Sequence, residues 1–211
     1  MKIKHIIVVA AALAMCAGAQ AQNSIGLKAG ISGGWIQGVV LTPGARVIPH
    51  PALYGGVTGT FYVSDNVFAQ AELLYAGKGH SEATTVGRLH DKYSLNMGYL
   101  QLPAMVGITL ADGRCSVMAG PEFGLLLHAS DIDNIDGRVS KTNCKDICKP
   151  FNFAIALQAN YMILPNLGVD IKFDWGLTKT FKDEAYKILD IKGNAHNLNV
   201  QLGICYRFEL D

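Results

Sequence analysis

The side chains able to do chemistry fall into three sets. Five histidines, His50, His80, His90, His128 and His196, lie in or beside four long connecting stretches. Imidazole is a common transition-metal ligand, so such residues gathered at one rim could hold a metal ion. Ser81 and Ser130, with His80, His90 and Asp91, supply a nucleophile, a base and an orienting acid. Those are the parts of a hydrolytic site, but no motif fixes their geometry. The run from Asp131 to Gly137 begins like a calcium loop, yet its fifth position is Ile135 and its twelfth is Thr142. The glutamate that completes such a ligand set is missing. The sequence therefore predicts no catalytic, cofactor or metal site.

The second set is Cys144 and Cys148, close enough within one connection to form a disulfide if the chain is exported. Other pairings with Cys115 and Cys205 stay open. The third set is Lys28, Glu72, Glu122, Asp170, Lys172, Asp174 and Arg207. These charges sit on the polar side of segments whose other side is apolar, and what they do depends on what those segments build.

Export is written into the N-terminus. Lys2, Lys4 and His5 precede an apolar run, Ile6 to Met15, and Ala19-Gln20-Ala21 supplies the small residues of a cleavage site. Residues 1–21 read as a signal peptide and 22–211 as one β-barrel domain. Leu13-Ala14-Met15-Cys16 approaches a lipid-attachment motif, with bulky Met15 where a small residue is expected.

Half of the 211 residues are hydrophobic and only 17% are charged, below the roughly 25% usual in soluble domains. The net charge is +1 and no long basic run occurs, which argues against a nucleic-acid partner. No glycine-rich phosphate loop opens a helix. After residue 21 no apolar stretch is long enough for a membrane helix, so a membrane could be crossed only by strands.

Strand periodicity is plain. Val169, Ile171, Phe173, Trp175 and Leu177 alternate with Asp170, Lys172 and Asp174, and residues 197–208 repeat the pattern. A side-chain period of two is that of a strand. Weaker copies occupy 25–32, 53–63, 69–78, 99–109, 115–125 and 152–163, with Leu74 interrupting a polar side. Three connections, at 64–66, 111–113 and 164–166, are tight turns of turn-forming residues. They alternate with long connections near 35–51, 80–93, 128–150 and 179–195. The fold expected is all-β: an eight-stranded antiparallel up-and-down transmembrane barrel, with long loops outside and short turns in the periplasm.

A soluble lipocalin-like binder would share the alternation but turn its apolar face inward. Small residues on the polar faces suit a narrow bore, and aromatics gather near strand ends. Tyr75, Phe151 and Trp175 lie towards the long connections; Phe61, Tyr161, Tyr206 and Phe208 lie towards the turns. Both features favour lipid around the apolar face. The seven charges then lie inside a barrel too narrow for an open pore. They are expected to form a salt-bridged plug rather than a gated ion or proton path.

Five segments together resemble the PorT-like outer-membrane β-barrel family of Gram-negative bacteria. These are Ile25-Gly26-Leu27-Lys28-Ala29-Gly30, Gln70 to Tyr75 with Lys78-Gly79, Tyr99-Leu100-Gln101-Leu102-Pro103, Ala119-Gly120-Pro121-Glu122, and Leu202 to Phe208. The resemblance implies insertion by the outer-membrane assembly machinery and a barrel usually without an assigned function. The ending Phe208-Glu209-Leu210-Asp211 departs from insertion signals that place an aromatic last. The expected protein is a non-enzymatic scaffold or surface-interaction protein of the cell outer membrane. It would contact outer-membrane lipid and lipopolysaccharide, and a protein partner through its extracellular loops; a rim enzyme acting on lipid or peptide is the alternative.

Overall fold

A computed structural model of the chain describes residues 24–38, 46–86, 89–111, 113–135, 138–188 and 194–209. The expected signal peptide, the motif around Cys16 and Asp112 of one turn lie outside the described residues. Among these described residues there are ten strands: β1 (Ser24–Gln37), β2 (Arg46–Ile48), β3 (His50–Tyr62), β4 (Val67–Val86), β5 (Leu89–Leu110), β6 (Cys115–Ile135), β7 (Arg138–Asn143), β8 (Phe151–Met162), β9 (Leu167–Lys179) and β10 (His196–Glu209). A short helix, α1 (Asp183–Ile188), follows β9.

Eight strands close a ring in the order β1-β3-β4-β5-β6-β8-β9-β10, all antiparallel, with β10 returning to β1. Closure matters because hydrocarbon offers no partner to a backbone amide, so a sheet with an open edge cannot sit in it. β2 and β7 are short additions on β4 and β6.

Burial follows the sequence alternation. Leu27, Ile31, Leu53, Val106, Leu157, Ile171, Phe173 and Ile204 face outward and are exposed, whereas Lys28, Glu72, Gln101, Gln158, Lys172 and Gln201 are buried inside. An apolar belt of this extent on a soluble protein would be an aggregation surface; around a closed ring with a polar bore it is the lipid face. The lipocalin-like alternative needs the opposite orientation and is excluded. Phe151 and Tyr161 stand at the two ends of β8, ten residues apart. That is about 33 Å along the strand and about 25 Å across a membrane at the usual barrel tilt, the height of an outer-membrane belt.

The long connections depart from expectation. Residues 80–93 are mostly strand, because β4 and β5 stay paired from Val67↔Ile108 to Val86↔Leu89. In 128–150, β6 runs on to Ile135 and turns back as β7, so Asp131 and Asp133 lie on a strand and not in a loop. In 179–195 the chain forms α1. Alternation fades in these stretches because strands beyond the membrane no longer separate lipid from a lumen. The backbone can keep pairing without a strict apolar/polar pattern.

Ile171 is half exposed in the middle of β9. Ile171→Arg should lower folding stability by about 2–4 kcal/mol in a bilayer refolding titration; an unchanged midpoint would contradict its outward, mid-bilayer position.

Candidate functional site

The barrel interior is built in three layers. In the middle, Lys28 Nζ lies 3.1 Å from Glu72 Oε1 and 3.2 Å from Asp170 Oδ2. Beside it, Lys172 Nζ is 2.8 Å from Glu122 Oε2, and Lys78 Nζ is 3.0 Å from Glu122 Oε1. Asp174 completes this second group, 3.5 Å from Lys172 and 3.7 Å from Lys78. Amides add further bonds: Gln70 donates to Glu72 at 2.6 Å, Lys28 donates to Gln158 at 3.0 Å, and Gln201 donates to Gln101 at 3.0 Å.

Six of the seven predicted interior charges are thus brought together. Arg207 stands apart at the periplasmic mouth, half-buried, where it donates to the Tyr62 hydroxyl at 3.4 Å. Lys78 belongs to the cluster but was not among the predicted seven. Its parity with Gln70 and Glu72 places it inward, and the intervening Leu74 and Ala76 obscure that signal.

Tyr54 reaches the cluster through a gap left by glycine. Its hydroxyl donates to Asp170 Oδ2 at 2.9 Å. A Cβ on Gly30 would come within 2.8 Å of its ring, and one on Gly203 would collide with its hydroxyl. Only residues without a side chain let this ring cross β1 and β10 to β9.

Apolar layers close both ends. Towards the turns, Phe68, Met105, Met118 and Ala156 pack together, with Tyr62 against them. Towards the outside, Ile36, Leu95, Met97, Tyr99, Leu126 and Phe181 form a larger cluster. Sequence reasoning placed Tyr62, Tyr99, Met105, Met118 and Ala156 on the polar faces, gave no face to Ile36, Phe68, Leu95, Met97, Leu126 or Phe181, and did not anticipate apolar layers inside. Between cluster and lower mouth, a cavity of about 20 Å³ is lined by Lys28, Thr60, Gln70 and Asn160, room for roughly one water.

The outer layer is roofed by two connections. Lys149 N–H donates to Thr180 O at 2.9 Å and Lys182 N–H to Ile147 O at 2.9 Å, tying the β7–β8 connection to the segment before α1. Cys144 and Cys148 flank a single turn, Lys145–Ile147, and are buried in this roof as free thiols hydrogen-bonded to each other. That bond, reinforced by burial, pushes the Cys148 thiol up. On the inner face of β6, burial raises the Asp131 carboxyl, with Asp133 adding to it.

The hydrolytic ingredients are divided between faces. His80 points inward, where Nδ1 accepts from Ile36 N–H at 3.2 Å and Nε2 meets Glu82 at 2.7 Å. Ser81 is on the opposite face of the same strand, fully buried, between His50 Nδ1 at 2.9 Å and Ser94 Oγ at 3.0 Å. Adjacent strand residues point apart, so His80 cannot act as base for Ser81. His128 stacks on Tyr75 with centroids 6.3 Å apart, on the outer wall. The side chains of His90 and Asp91 lie outside the described residues. Among the described residues, no group of three or more His, Cys, Asp or Glu converges as a metal site.

Charge counting within the cluster gives an asymmetry. Three lysines (28, 78 and 172) face four carboxylates (Glu72, Glu122, Asp170 and Asp174), all nearly inaccessible to solvent. Glu122 joins two lysines, whereas Asp174 has the longest contacts. Stranding a buried charge costs about 3–5 kcal/mol. Glu122→Gln should therefore lose roughly that much in a urea titration of the vesicle-inserted barrel. Asp174→Asn, which removes the surplus charge, should lose clearly less; equal losses would refute this division of roles.

Comparison with known proteins agrees with the geometry. No curated protein sequence matches the chain. Among solved structures, the attachment invasion locus protein Ail of Yersinia pestis, in complex with the heparin analogue sucrose octasulfate, is similar at 12% identity and a TM-score of 0.47. That similarity covers 90% of this chain and 100% of Ail. Neisserial surface protein A is similar at 10% identity and a TM-score of 0.44, over 88% of this chain and 97% of that one. OprG of Pseudomonas aeruginosa is similar at 11% identity and a TM-score of 0.37, over 90% and 98%. The family described as outer membrane protein beta-barrel domain matches residues 19–182. A closed ring with a lipid-facing belt agrees with that match, and the chain belongs to the outer membrane protein beta-barrel domain family.

Proposed function

We propose that the chain is a non-enzymatic surface protein whose sealed barrel anchors a rigid platform outside the outer membrane. Strand length carries this reading. β4, β5 and β6 are 20, 22 and 21 residues long, against 12 to 14 for β1, β3, β8, β9 and β10. A barrel strand crosses the membrane in about 9–11 residues. Roughly ten residues of each long strand therefore project, about 30 Å of paired sheet. Such a sheet presents a fixed surface to a protein or lipid partner, which a pore or a buried catalytic centre does not need.

Within the outer-membrane barrels, the resemblance to the PorT-like group is the finer assignment. Delivery would follow from a signal peptide at residues 1–21 and insertion by the assembly machinery. The inward charges act as a plug that holds register, and Ser81, buried between His50 and Ser94, is unavailable as a nucleophile. In the oxidising compartment, Cys144 and Cys148 pass two electrons and two protons to a periplasmic protein disulfide, which is reduced to a dithiol, and become joined.

Two measurements test these points. Proteoliposomes carrying the barrel should swell in small sugars no faster than protein-free vesicles; porin-like swelling would overturn the sealed lumen. Protein denatured from isolated outer membranes should take up a maleimide at Cys144 and Cys148 only after reduction, and labelling without reductant would exclude the disulfide.

A further inference from the structure

The wall between β3 and β4 is interrupted above the aromatic level of Tyr75. Pairing of β3 with β4 ends at Tyr54↔Ala76, and pairing of β2 with β4 starts at Ile48↔Ser81. Between these points five residues (49–53) oppose four (77–80), and Pro49 and Pro51 have no N–H to donate. The chain there lies against glycine. A Cβ on Gly77 would come 2.5 Å from the Cβ of Ala52, and one on Gly79 would come 2.7 Å from the His50 ring. On the neighbouring strand, the His128 ring occupies the place of a Cβ on Gly98. A cavity of about 330 Å³ results, lined by His50, Leu53, Tyr75, Gly77, Asn96 and His128, within the size range of small-molecule pockets, roughly 300–1,000 Å³. Leu53 is 70% exposed and Tyr75 is 44% exposed on its rim, so the cleft opens to the lipid side, while the buried Lys78 and Met97 line its inner end.

Charge above the cleft is sorted by face. Arg46 and Lys92 stand opposite Ala83 from its two sides. Lys141 stands opposite Ile132, which is opposite Ser94 and, beyond it, Ser81. Directly opposed residues share a face, and Ser81 and Ala83 share theirs with Gly77 and Gly79. Arg46, Lys92 and Lys141 are all exposed on it. Lys145 also reaches this side, donating to Leu127 O at 2.7 Å. Glu82, Asp131 and Asp133 fall on the opposite parity. The outer face above the cleft is thus basic, and its acidic neighbours face inward.

We propose that this cleft and the basic row above it bind a phosphorylated glycolipid of the outer leaflet, lipopolysaccharide, with an acyl chain in the cleft and phosphate on Arg46, Lys92 and Lys141. Position and charge complementarity single out this occupant. The cleft is rimmed by Leu53 and Tyr75 at the aromatic boundary, and the cations lie above it on the same outer face. The inference rests on the outer-membrane placement and is independent of the proposed surface platform.

The test uses the mature chain refolded in phosphatidylcholine nanodiscs, titrated with fluorescent lipopolysaccharide. The triple variant Arg46→Glu/Lys92→Glu/Lys141→Glu should remain heat-modifiable on gels, showing a folded barrel, and bind at least tenfold more weakly. Arg114→Glu, an exposed control in the tight turn at the opposite end of the barrel, should bind like wild type. Dephosphorylated lipopolysaccharide and its deacylated oligosaccharide should each compete poorly, as should phosphatidylglycerol. Equal binding by wild type and a folded triple variant would overturn the site, as would equal loss in the control. Full competition by phosphatidylglycerol would overturn the glycolipid in favour of general charge attraction. Failure of wild type to enter nanodiscs would instead strike at the membrane placement itself.

Discussion

Hydrocarbon gives a peptide N–H or C=O nothing to bond with, and every other feature of this chain accommodates that fact. Eight strands meet the requirement by closing the hydrogen-bond ladder on itself, from Ser24↔Glu209 through to Gln37↔His196 at the seam. Once the ring is closed, side-chain placement follows from the pleat. Ile25, Leu27, Ala29 and Ile31 cannot face lipid without Gly26, Lys28, Gly30 and Ser32 facing the bore. The outer face is filled by hydrophobic residues because lipid accepts them, and the inner face inherits the packing problem.

An eight-stranded ring leaves a bore only as wide as its own side chains, and buried charge inside it must be neutralised locally. The contacts show how. Glu122 on β6 is held by Lys172 from β9 and Lys78 from β4, while Lys28 on β1 binds Glu72 on β4 and Asp170 on β9. Strands distant in the chain are thereby tied across the lumen, and a slip of one residue would turn these charges into lipid. The bonds contribute specificity of register as well as energy. The apolar layers on either side exclude water from the charges, which strengthens each pair and makes an unpaired one more damaging.

Much of this was legible in the sequence, for one reason: lipid imposes a two-residue period strong enough to read in a single chain. Ile171 and Phe173 against Lys172 and Asp174 could be assigned to faces before any coordinates. The inner layers were not legible, because Met105, Met118, Tyr99 and Leu126 are apolar at inward positions and periodicity alone treats an apolar residue as outward or as noise. Leu74 was such an interruption; it is completely buried against Tyr54 and Ala76. The projecting hairpins were read as loops for the complementary reason. Beyond the membrane neither face meets hydrocarbon, so the pattern that marks a strand is no longer enforced although the pairing persists.

The interruption between β3 and β4 shows where the founding constraint relaxes. A ladder break at mid-bilayer would leave several amides and carbonyls facing hydrocarbon, at several kcal/mol each. Here β1 supplies partners from inside: Ser32 Oγ donates to Gly77 O at 2.7 Å, and Ile36 N–H finds His80 Nδ1. Gly34 permits this approach, since a Cβ there would lie 2.9 Å from Gly79 N. Two prolines open the wall on one side while a serine and a histidine satisfy the backbone on the other. The break thus sits above Tyr75, near enough to water to be tolerated and near enough to lipid to admit one. A barrel that must be closed in hydrocarbon can be open only at its boundary, and that is where this chain places Gly77 and Gly79.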